Sequence, residues 1–63
     1  MKAGQVTAGD WIVIAGRSRH VGSVSPARGD GRVIIRYHLP SMGSLELPWI
    51  LPADEPVEKG TPE

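Results

Sequence analysis

Sixty-three residues with no cysteine and no net charge describe a single small domain held together without disulfides or thiolate metal sites, since so short a chain buries only about 60% of its unfolded surface. Two histidines alone make a poor metal site, so neither a metal nor any other cofactor is expected, and a second subunit is the remaining staple for so small a core. The longest apolar run, Trp11 to Ala15, is far short of a membrane span, and no apolar stretch follows Lys2, so a cytoplasmic protein without membrane contact is expected.

The charges are segregated along the chain. Residues 17 to 38 hold five Arg against one Asp, and residues 46 to 63 hold five acids against Lys59. The two stretches carry +4 and −4, which predicts a basic face on the folded part and an acidic tail.

Gly and Pro recur so often that no window suits an ordinary helix, and strands build the fold. Asp10 to Ala15 is the first, a β-branched run between Gly9 and Gly16. A polar loop over residues 16 to 19 leads into a second strand from His20 to Ser25, where Val21 and Val24 are the apolar members. Their spacing breaks strict alternation, and Gly22 between them predicts a bulge or sharp bend. Residues 26 to 31 form a hairpin connection.

Arg32 to Leu39 is the clearest strand: Val33, Ile35, Tyr37 and Leu39 point to the core, and Arg32, Ile34, Arg36 and His38 point away from it. After a turn at residues 40 to 43, Ser44 to Trp49 is a fourth strand with Leu45, Leu47 and Trp49 inward and Glu46 outward. Pro48 limits its pairing to an edge. A 3₁₀ turn is expected over Trp49 to Pro52, and pairing of Pro56 and Val57 with the first strand would close a barrel. The composition beyond Ala53 is too polar to pack, which predicts a folded domain over residues 1 to 53 and a flexible, disordered acidic tail over 54 to 63.

Four or five short antiparallel strands, a polar loop after the first, a central hairpin and a late 3₁₀ turn make an all-β chain that resembles an SH3-like barrel. The run Gly9-Asp10-Trp11-Ile12-Val13-Ile14, the Val-Gly-Ser-Val strand and Val33-Ile34-Ile35-Arg36-Tyr37 resemble small actinobacterial barrels of unknown function, over residues 8 to 55. Pro40 to Pro48 is similar to the segment of the plasmid-encoded type II dihydrofolate reductases that precedes and forms their active-site strand. Where that family reads Val-Gln-Ile-Tyr, this chain has Leu45-Glu46-Leu47-Pro48, losing both pore-lining polar groups. The resemblance therefore implies a fold and oligomerisation, and it argues against reductase activity; a degenerate reductase-like oligomer would still bind NADPH in a central pore.

No Ser-His-Asp or paired-carboxylate spacing marks a catalytic site, although His20 and His38 have Asp10 and Asp30 as candidate partners; a non-enzymatic binding module is expected. Arg32, Arg36 and His38 share one strand face, and Arg17, Arg19 and Arg28 sit in loops that a small barrel brings near it. Planar guanidinium forks suit phosphate oxygens, so these six residues form a candidate nucleic-acid surface for a bacterial or phage accessory protein. The alternative is a protein-interaction or self-assembling module that uses Trp11, Leu45, Leu47 and Trp49 on an edge strand, with a host protein or a second copy as its partner. Gly29-Asp30-Gly31 lacks the Lys and helix of a phosphate loop, and Arg28-Gly29-Asp30 matches the adhesion tripeptide by chance.

Overall fold

The computed structural model describes residues 1–27, 31–39 and 45–62. Four strands, β1 (Trp11–Ile14), β2 (Arg17–Pro26), β3 (Arg32–His38) and β4 (Glu46–Pro52), follow a short 3₁₀ turn at Ala3–Gln5. They form one antiparallel sheet in the order β1-β2-β3-β4. The chain is therefore all-β, with each strand beside its sequence neighbour, the arrangement that short turns favour. Among the described residues no helix is long and apolar enough to cross a membrane.

The polar loop expected at residues 16 to 19 is instead the start of β2. Ile14 pairs directly with Arg17, leaving only Ala15 and Gly16 as the turn, with φ of 53° and 80°. Two successive left-handed residues give the backbone twist that suits a two-residue hairpin, and Gly16 takes that conformation without steric cost. Ala15 has a Cβ and takes it at a cost.

Gly22 produces the expected bulge. The β2–β3 register shifts between Val21 and Ser23, so the first half of β2 serves β1 and the second half serves β3. The alternation in β3 also holds: Val33 and Ile35 are buried, and they join Ala3, Val6, Ile12, Val21, Leu51 and Val57 in the core. Trp49, Ile14, Val24 and Ala53 pack around it.

β4 runs through Pro52 and keeps pairing with β3, Trp49 with Ile35 and Leu51 with Val33. The 3₁₀ turn expected over Trp49 to Pro52 is thus corrected to strand. β-Branched and apolar partners on β3 reward continued pairing, and Pro48 and Pro52 are both exposed on this edge strand.

Two further expectations change at the C-terminus. The sheet is not closed into a barrel, because β1 and β4 remain its two edges. Residues 56 to 60, read from composition as part of a disordered tail, lie along β1 and the N-terminal segment. The backbone N–H of Val57 donates to Met1 O at 2.8 Å, that of Val13 to Glu58 O at 2.9 Å and that of Gly60 to Trp11 O at 2.8 Å. Isolated bridges join Lys2 to Pro56 and Ile12 to Lys59. A single apolar anchor, Val57, and backbone pairing suffice where the side chains are otherwise polar, because main-chain groups bond regardless of side-chain polarity. The pairing with β1 is made by Glu58 to Gly60, while Pro56 and Val57 pair with the chain's own start.

Candidate functional site

The outer face of the sheet is set by β3, where Arg32, Ile34, Arg36 and His38 alternate with the buried residues. Arg36 Nη1 donates to Ser25 Oγ on β2 at 3.3 Å, which holds the guanidinium over the sheet. Arg32 is exposed and Arg36 half-buried.

At the His38 end of this face, one row of side chains crosses all four strands. Register pairs Trp11 with His20 and His38 with Glu46, and side chains directly opposite in an antiparallel pair share a face. The Trp11 and His20 rings lie 5.1 Å apart at a tilt of 53°. His20 stacks on His38 with centroids 5.3 Å apart and planes 20° apart. His38 Nε2 is 3.3 Å from Glu46 Oε2, with the two side chains 36% and 35% exposed.

Gly22 makes room for the row. A Cβ at this position would collide with the Glu46 carboxylate and come within 2.9 Å of His38 Nε2. The bulge therefore has a second effect beyond bending β2: it lets side chains from β3 and β4 lie over the β2 backbone.

The structure divides the expected nucleic-acid set. Arg32, Arg36 and His38 share the outer face. Arg17 and Arg19, which belong to a strand and not to a loop, are the register partners of Ile14 and Ile12. They share the core-bearing face of the β1–β2 hairpin, opposite His20, and the expectation that they gather beside Arg32 and Arg36 is corrected by that alternation. Arg28, Asp30 and the turn at residues 40 to 43 lie outside the described residues.

The two tryptophans are likewise separated. Trp49 packs against the core beside Ile35, whereas Trp11 stands on the opposite face against His20. Leu47 is half-buried opposite Tyr37, and Leu45 is exposed. The Asp10 carboxylate accepts from the Thr7 backbone N–H at 2.9 Å and from its hydroxyl at 3.2 Å, so it caps a turn and does not partner a histidine. Among the described residues no three acidic or imidazole groups converge to hold a metal ion.

Sequence reasoning did not place His20 or Glu46 in the site. Both lie on expected strands, but joining them to His38 requires the register across three strand pairs, which no local pattern carries. A groove of about 530 Å³ opens between residues 4 to 8 and the second half of β2, on the core-bearing side of the sheet and away from Arg36, with Val6, Val24, Pro26 and Val33 as its apolar walls.

Fold and site together define a small all-β domain that presents an arginine- and imidazole-bearing sheet face. Comparison with known proteins gives no match to a protein-family model, a curated protein or a solved structure.

Proposed function

We propose that this chain is a small binding module that contacts nucleic acid through the outer face of β3, without catalysing a reaction on it. The observation that carries the reading is the placement of Arg32, Arg36 and His38 on one accessible strand face, where Glu46 is the one acidic residue in register with them. Guanidinium groups donate two hydrogen bonds to one phosphate, and the Ser25 contact holds Arg36 ready to do so. The bent β2 and the return of the C-terminal segment to β1 support reading the open sheet as SH3-like.

Fluorescence anisotropy with single-stranded and duplex DNA and with RNA tests the proposal. Two phosphate contacts predict a loss of about tenfold in affinity between about 50 and about 200 mM salt, and Arg32→Ala with Arg36→Ala should flatten that slope. Absence of binding to all three at low salt refutes it.

A second reading rests on a separate observation. β4 is an edge strand with Leu45 exposed and Ile50 56% exposed, and Ile50 lies opposite Ile34 on the outer face. We propose self-association along this edge as the alternative. Sedimentation that gives a monomer at all concentrations removes it.

A further inference from the structure

We infer that phosphate binding on the outer face is coupled to proton uptake at His20 and His38, with Glu46 occupying the place of the anion in the free protein. The inference rests on the nucleic-acid reading and adds how that site responds to pH.

The argument begins with ring orientation. His20 and His38 are stacked nearly parallel at 5.3 Å, so their faces are turned toward each other and their nitrogen-bearing edges are left to meet a ligand. Glu46 already sits on one of these edges, 3.3 Å from His38 Nε2. Gly22 keeps this position open, since any side chain there would displace the carboxylate.

Two imidazolium rings at this spacing repel each other, and one carboxylate offsets only one of them. Among the described residues the row holds no second anion. Trp11 of β1 is neutral and packs on His20. On β3, Arg36 lies two residues along the same face and is positive. Arg19 of β2 is on the opposite face by alternation, and the Asp10 carboxylate is taken by Thr7. Glu58 and Lys59 lie beyond the far edge of β1, where the C-terminal segment pairs with Ile12 and Val13. A phosphate chain laid across Arg36 and the histidine edges provides the missing negative charge, and it stabilises the doubly protonated pair. Imidazole changes charge within the physiological pH range, so binding takes up protons there. Glu46 competes with the phosphate for His38.

The test is titration of a labelled thymidine oligonucleotide of about a dozen residues at fixed low salt, between pH about 5.5 and about 8. Coupling to one proton lowers affinity by up to about tenfold for each pH unit raised, and coupling to two lowers it more steeply. The expected result is a fall of at least about tenfold over the range, with a calorimetric binding heat that changes with the ionisation heat of the buffer. His20→Gln and His38→Gln should flatten the profile, and Glu46→Gln should tighten binding at the high-pH end. If a histidine variant fails to fold by circular dichroism, the buffer dependence of the wild-type heat and the Glu46→Gln comparison still decide. Binding that is equal across the pH range, with a buffer-independent heat, overturns the coupling and leaves the nucleic-acid reading intact. No binding by folded protein at any pH overturns the nucleic-acid reading itself.

Discussion

Val57→Ala is the most direct probe of how this fold is held, because it tests whether the polar C-terminal segment belongs to the domain. Val57 is 7% exposed and packs in the core with Ala3, Val6 and Ile12. Removing its two methyl groups forfeits about 1.6 kcal/mol of transfer free energy, and an imperfectly collapsed cavity brings the loss to about 2 kcal/mol. A domain of this length has a stability of about 3 to 9 kcal/mol, so the loss is a large share of the total. It corresponds to a fall of roughly 8 to 16 °C in melting temperature for a protein of this size. Thermal and urea unfolding followed by circular dichroism measure it. Glu58→Ala is the control: its carbonyl accepts from Val13, but the residue is exposed, so its loss should stay within about 0.5 kcal/mol. A Val57→Ala protein as stable as the parent would mean that residues 56 to 60 contribute nothing to the fold, and the reasoning from burial and backbone pairing would be wrong.

Three other substitutions address separate features. Ala15→Asn places a residue that tolerates left-handed backbone at the position with φ of 53°, and should raise stability by about 1 kcal/mol in a urea titration. Gly22→Ala should push the Glu46 carboxylate off His38. Both side chains are over a third exposed and can swing into solvent, so unfolding should register less than about 1 kcal/mol while the His38 ring resonances shift in an NMR spectrum. Ile35→Ala removes one of the fully buried side chains and should cost about 2 to 5 kcal/mol in the same urea titration.

The strands with strong local patterns could be read from the chain directly. Arg32 to His38 alternates so regularly that both its core side and its exposed side follow from period two. Gly22 between two valines announced the bulge, because a residue without a side chain in a strand marks a bend or a close approach. The first hairpin was harder to read: Ala15 is an unusual left-handed residue, so the turn resembled a loop, and β2 began three residues earlier than its apolar members suggest. Residues 56 to 60 escape a reading from composition for a different reason. Composition reports side-chain polarity, and what anchors this segment is backbone pairing with Met1, Trp11 and Val13 around one valine.

By itself, then, the chain determined an all-β class, the central strand and its two faces, and the position of the bulge, all of which depend on residues within a few places of one another. Only the tertiary structure decided that Trp11, His20, His38 and Glu46 form one row and that Arg17 and Arg19 fall on the other side. These placements depend on register between strands distant in sequence, and a shift of one residue in any pair would turn every side chain of that strand to the opposite face.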